Sequence, residues 1–396
     1  MRRLLAALPF VVAFSAGGAR PHEFSLAYSF TSDEPISVVW HDGAPPLKLR
    51  GFYEPRGRVW SPDRTRVAIG AWADKPQLPI VDLVHRRLIR SAQLASAPAG
   101  GCSVQPLVWS ARERLVAHVW CGGAHDSEAA AVATVDGTSG HVVARRSVGV
   151  VFARVQTREW AVLLASPPLG RRYARTYARV ERTGPARLIV VGRDGSVRVR
   201  VLRIRAGYSH SRMFNREPGL AVRGDRAIVV AEGDGAAMID LRTLRVGYHR
   251  IAFPARPRRL ALRPRRHEGT SNPSRDLVRT ATWLDANHVA VTGIDSWTRK
   301  FMDQQLGAGL RILDTRTWRA PLVDSTAAIL HRAQGFLIVT GVSRDGIRVY
   351  DVRGRLRLRR FAGWDATVTR IRARRVIVVL SRRRGERPRH ATVLLP

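Results

Sequence analysis

The stretch Val59-Trp60-Ser61-Pro62-Asp63-Arg64-Thr65-Arg66-Val67-Ala68-Ile69-Gly70-Ala71-Trp72, followed by Ile80-Val81-Asp82, holds three strand signals in 24 residues. A short apolar strand ends at Trp60, Ser61-Pro62-Asp63-Arg64 makes a tight turn, and the apolar run over 66–72 reads as a second strand. The third ends in Asp82, whose carboxylate is suited to accept amides of the turn behind it. This is the start of an antiparallel meander.

The same unit recurs along the chain. Second strands are expected at 66–72, 114–120, 159–165, 226–232, 288–294, 335–341 and 375–381, each preceded by a shorter apolar strand. Third strands ending in aspartate lie at 80–82, 133–136, 238–240, 312–314 and 349–351, each followed by a turn and a more polar, Arg-rich fourth strand. Asp82 to Asp351 is 269 residues and, with the unit whose turn is Arg193-Asp194-Gly195-Ser196, spans six units and five intervals, a mean of about 54. Four strands at this period predict an all-β chain folded as a β-propeller of seven four-stranded blades. The last unit has strands at 368–371, 375–381 and 391–395 and no fourth before Pro396. Ile36–Trp40, or the neighbouring 47–50, is therefore expected to complete that blade and close the ring.

Trp60-Ser61-Pro62-Asp63 followed by Val67-Ala68-Ile69 resembles the repeat of the TolB-type propellers, a class of bacterial WD-repeat-like blades. Trp109-Ser110-Ala111-Arg112 and Trp283-Leu284-Asp285 keep the tryptophan of that pattern and lose the rest. The resemblance implies the fold and a binding role common in that class.

Lys and Arg total 67 against 31 Asp and Glu, a net charge of +36, yet 45% of the chain is hydrophobic, which excludes a disordered polyelectrolyte. Only Lys48, Lys75 and Lys300 are lysines, a skew that GC-rich codon usage produces as readily as selection for binding. Such a charge attracts nucleic acid, anionic lipid and acidic polymer alike. Arg2 and Arg3 precede an apolar stretch over 4–14 and the small residues 15–19, so 1–19 reads as a signal peptide cleaved after Ala19, or as a retained N-terminal anchor. No other apolar run approaches the ~20 residues of a membrane span. Residues 20–35 are expected as a linker and 36–396 as the propeller. The body is then secreted, or periplasmic in the cell envelope, which sets nucleic acid aside as a partner.

Chemistry-bearing motifs are scarce. Twelve histidines include no His-x-x-x-His pair, and Cys-x-x-Cys, Gly-x-Ser-x-Gly and P-loop patterns are lacking. No metal, cofactor or catalytic constellation is implied, and His118 and His288 read as hydrogen-bonded core residues. If the hairpin at 110–113 places Trp109 opposite Arg114, the same register sets Cys102 opposite Cys121, and a disulfide is expected.

Loop lengths are more telling. Nearly all insertions fall in second-to-third and blade-to-blade connections, which share one face of a propeller. They carry Arg171, Arg172 and Tyr173 (166–185), His210 and Arg212 (207–218), Arg258, Arg259, Arg265 and Arg266 (254–279), Trp297 and Arg299 (295–309), and Arg383 (381–390). Long loops on a rigid scaffold commonly bind, and arginine with interleaved aromatics suits phosphate, carboxylate or sugar. The expected function is a non-catalytic, monomeric binder of an acidic polymer or acidic protein. The alternative is a hydrolase or lyase acting on a glycan or lactone at the central channel, for which no acid/base pair is visible.

Overall fold

The computed structural model describes residues 23–29, 34–95, 101–121, 129–167, 184–209, 214–231, 235–251, 275–299, 302–342, 344–381 and 388–396. Every regular element among them is a strand. An N-terminal sheet holds β1 (Phe24–Ala27), β2 (Ile36–Trp40) and β3 (Leu47–Leu49). Next come β4 (Phe52–Tyr53), β5 (Arg58–Trp60), β6 (Arg66–Ile69), β7 (Ala71–Ala73), β8 (Pro79–Asp82) and β9 (Arg87–Arg90). Of these, β5, β6, β8 and β9 make the first four-stranded sheet.

The second sheet is β10 (Cys102–Trp109), β11 (Arg114–Cys121), β12 (Ala129–Asp136) and β13 (Val142–Ser147), with β7 and then β4 added beside β10. The third is β14 (Val151–Gln156), β15 (Trp160–Ala165), β16 (Gly184–Gly192) and β17 (Val197–Ser209). After β18 (Phe214–Glu217), the fourth is β19 (Gly219–Arg223), β20 (Arg226–Ala231), β21 (Gly235–Asp240) and β22 (Val246–His249). The fifth contains β23 (Arg275–Trp283), β24 (His288–Arg299), β25 (Met302–Gly307), which pairs only with β24, β26 (Leu310–Asp314) and β27 (Leu322–Asp324). The sixth is β28 (Ala327–Ala333), β29 (Phe336–Gly341), β30 (Ile347–Asp351) and β31 (Leu356–Arg360). The last has three strands, β32 (Asp365–Arg372), β33 (Arg375–Ser381) and β34 (Arg389–Leu394).

The hydrophobic pattern explains how these sheets assemble. Inner strands are apolar on both faces, as β8 and β26 show by near-complete burial, while the fourth strands β13 and β31 are polar and exposed. Buried clusters then join each sheet to the next in chain order. Ile36, Val38 and Leu49 of the N-terminal sheet pack with Ile69, Ile80 and Val104. Val116 meets Leu163 and Ile189, Leu188 meets Val229, and Ile228 meets Val289. Leu310 meets Leu337 and Val339, and Ile338 and Val349 meet Val376 and Val378. Consecutive antiparallel meanders stacked face to face are the blades of a β-propeller.

Three expectations need correction. Ile36–Trp40 does not complete the last sheet: both edges of β2 are taken, by β1 and by β3, and its buried side chains face the first sheet. The outer edge of β34 carries no strand among the described residues. Residues 20–35 are not merely a linker, because Phe24 packs against Trp40 and Trp60 at ring-centroid distances of 6.1 and 5.7 Å and draws β1 into the fold. Finally, Trp109 pairs with Leu115 rather than Arg114, and a β-bulge between Pro106 and Val108 restores the register that sets Cys102 opposite Cys121. The signal-peptide region 1–19 lies outside the described residues.

Candidate functional site

Chain connectivity assigns the long segments to one end of the sheets. Arg171, Arg172 and Tyr173 connect β15 to β16, His210 and Arg212 connect β17 to β18, and Arg258, Arg259, Arg265 and Arg266 connect β22 to β23. Arg383 connects β33 to β34. All of these residues lie outside the described ones. Trp297 and Arg299 belong to β24, where their backbones pair with Gln304 and Met302 of β25.

The described strands build a platform at that same end. Gly207–Ser209 at the end of β17 turns back on β18, β18 runs parallel to the start of β23, and β23 pairs along its length with β24. The third and fifth sheets thereby become one ten-stranded sheet. Inside it, Arg279 donates to Asp295 at 2.7 Å and to the carbonyl of Val278, with both charged side chains less than a tenth exposed. Nothing in the sequence marked this pair, because an arginine in a strand usually faces water. Gly293 is required beside it: a Cβ there would lie 1.9 Å from the Val278 carbonyl oxygen.

A second junction joins the first two sheets at the same end. Ala71–Ala73 pairs with Cys102–Val104, and Cys102 and Cys121 are joined by a disulfide, with Cα atoms 4.1 Å apart. Trp72 and Trp120 meet edge to face at 6.4 Å, and the Arg56 guanidinium sits 5.5 Å from the Trp72 ring. The indole of Trp72 occupies the space that a Cβ on Gly101 would need, 2.3 Å away.

The opposite end, with its short turns, is rich in carboxylates, and these are engaged. Asp136 accepts the amides of Thr138 and Ser139, Asp240 those of Arg242 and Thr243, and Asp351 those of Arg353 and Arg355. The Thr138 hydroxyl and the turn amides hold the Asp136 carboxyl well below the usual range. The Ser61 hydroxyl, with the Thr65 amide and hydroxyl, lowers Asp63 to about 2. These aspartates organise turns.

An open cleft of about 490 Å³ lies between the third and fourth sheets at this end. Asp225 accepts the Trp160 indole N–H at 3.0 Å and Arg242 Nε at 2.6 Å, and Arg198 donates to the carbonyls of Leu241 and Arg242. Arg193 completes three arginines facing Glu159, Asp194 and Asp225. The charges balance, so the cleft holds no surplus cation for an anion.

Buried titratable groups lie between blades. Burial, with Arg154 nearby, drives His118 down to about 4, so its imidazole is neutral. Its Nε2 has no hydrogen-bond partner among the described residues, unlike the bonded core histidine expected. His288 meets half of that expectation: Nδ1 lies 2.8 Å from Asp285, but the side chain is 35% exposed rather than in the core. Tyr350 donates to Asp324 at 2.7 Å, and Arg348 faces the same carboxylate at 3.0 Å; burial and then Asp324 push the phenol up. Among the described residues no three His, Cys, Asp or Glu side chains converge as metal ligands, and no helix is long and apolar enough to cross a membrane.

No family model matches the chain, and no curated protein does. Several solved structures are similar to it. Dihydro-heme d1 dehydrogenase NirN in complex with DHE is 12% identical over 95% of this chain and 72% of its own, with a TM-score of 0.46. Quinohemoprotein alcohol dehydrogenase from Comamonas testosteroni is 10% identical over 91% and 69%, with a TM-score of 0.48. BamB from Moraxella catarrhalis is 11% identical over 81% and 79%, with a TM-score of 0.31.

Proposed function

We propose that this protein is an exported, non-catalytic propeller that binds an anionic partner, a cell-envelope polymer or an acidic protein, through its long-loop end. One observation carries the reading: the charge surplus is divided unequally between the two ends. At the short-turn end the cleft's arginines are balanced one for one by carboxylates. The segments 168–183, 252–274 and 382–387, all leaving the other end, hold fifteen arginines against three glutamates, and the surplus is still eight when 122–128 and 232–234, with four carboxylates and no arginine, are added. Codon usage alone has no reason to separate the charges in this way.

A polyanion bound there releases condensed counterions, so its affinity falls steeply with salt. Titrating the protein with fluorescent heparin from low to physiological salt tests this. A log–log slope corresponding to several released ions is expected, and a salt-independent affinity contradicts the proposal.

A further inference from the structure

We infer that the last sheet is a docking surface for an acidic, extended protein segment, which adds to β34 as a fourth strand. The inference is independent of the long-loop reading. In the first to sixth sheets the third strand is covered by a fourth; β8 lies beneath β9 and β30 beneath β31. Strand β34 occupies the third position, and its outer edge carries no strand among the described residues. Leu395 donates its amide to Arg374, so the 374–395 pair is a hydrogen-bonded one. By alternation, His390, Thr392 and Leu394 turn their amides and carbonyls outward. All three side chains are exposed, Leu394 at 65%.

The charge around this edge selects the occupant. The described residues 365–381 and 388–396 hold five arginines against one carboxylate. One sheet face packs Val376, Val378 and Leu380 against the sixth sheet. The other carries Arg370, Arg372, Arg375 and His390 around the half-buried Ile377 and Val379. None of those four basic side chains has an ion-pair or hydrogen-bond partner among the described residues. Among the described residues the one carboxylate on that face, Asp365, accepts the Arg344 amide. Edge strands recruit extended peptides through backbone hydrogen bonds, while flanking side chains choose the sequence. A second copy of this sheet would bring like charges together, whereas a strand alternating acidic and apolar residues satisfies the edge, the arginines and the apolar centre at once.

The probe is a labelled peptide with blocked ends that alternates Glu and Val, compared with its Lys counterpart and with a form N-methylated at the amides facing the edge. Saturable binding of the Glu peptide to the full chain is expected, together with slowed amide exchange at His390, Thr392 and Leu394. Thr392→Pro, or N-methylation of the peptide, should weaken binding about tenfold or more through lost strand hydrogen bonds. Arg370→Glu with Arg372→Glu should reverse the preference toward the Lys peptide. Should Thr392→Pro lower the melting temperature, the N-methylated peptide on the unaltered protein decides. Absence of saturable binding, or equal binding of the N-methylated form, overturns the inference. Binding abolished by removing the long-loop arginines but kept in Thr392→Pro also overturns it, and leaves the long-loop reading standing.

Discussion

Arg279 and Asp295 stand out among single residues, since each is less than a tenth exposed and each neutralises the other. Losing one member of a buried, hydrogen-bonded ion pair is costly, so Asp295→Ala is expected to destabilise the protein by about 3–5 kcal/mol in urea unfolding. A loss under about 1 kcal/mol, typical of an exposed pair, would show that the pair is wet in solution. His118 makes a separate prediction. Its folded value near 4 lies below the ordinary 6.5, so the unfolded chain binds the extra proton first as pH falls. Stability from this residue is complete above about pH 6.5 and declines toward pH 4, by a total on the order of 3 kcal/mol. His118→Gln should flatten stability against pH in that window; an unchanged slope would place the titration elsewhere. Neither residue declared itself beforehand, because arginine and histidine within a strand do not reveal which face they take until the neighbouring sheet is placed.

Strands were the most legible level of the chain. The runs over 66–72, 114–120, 226–232 and 375–381 were readable because β-branched residues between tight turns leave little choice, and each coincides with an observed second strand to within a few residues. Pairing partners were less readable. Ile36–Trp40 has the same alternating pattern whether it joins β34 or β1 and β3, and the contact that decides, Phe24 on Trp60, spans 36 residues of sequence. Strands β18 and β25, Phe-Asn-Arg-Glu and Met-Asp-Gln-Gln-Leu-Gly, are polar and carry no strand signal apart from the neighbours they pair with. At this scale the disulfide is the feature to test. It closes a loop with a sequence separation of 19, and Cys102→Ala with Cys121→Ala should cost roughly 3 kcal/mol. Thiol titration of the native, unreduced protein should find no free cysteine, and two reactive thiols would contradict the cross-link.

For the molecule as a whole, the sheets form a series in which each buries a face of the next, and the N-terminal sheet is part of that series through Ile36, Val38, Trp40 and Leu49. Deleting residues 23–50 would uncover the apolar face of the first sheet, and a lowered, broadened thermal transition is expected; an unchanged melting temperature would show that the N-terminal sheet is dispensable. Charge is distributed unevenly along the sequence too, with aspartates spent on short turns and arginines concentrated in the long segments between strands. The first half of this division was legible in the recurring third-strand aspartate. Its chemistry was legible too, since these aspartates read as acceptors of turn amides, and Asp136, Asp240 and Asp351 do accept them. The measurement that tests the account most directly replaces Arg171, Arg172, Arg265, Arg266 and Arg383 by Ser and compares heparin affinity with that of a variant losing Arg112, Arg193, Arg223, Arg316 and Arg353, exposed at the short-turn end. Both variants lose the same charge; the account predicts that only the first loses binding, and equal losses would contradict it.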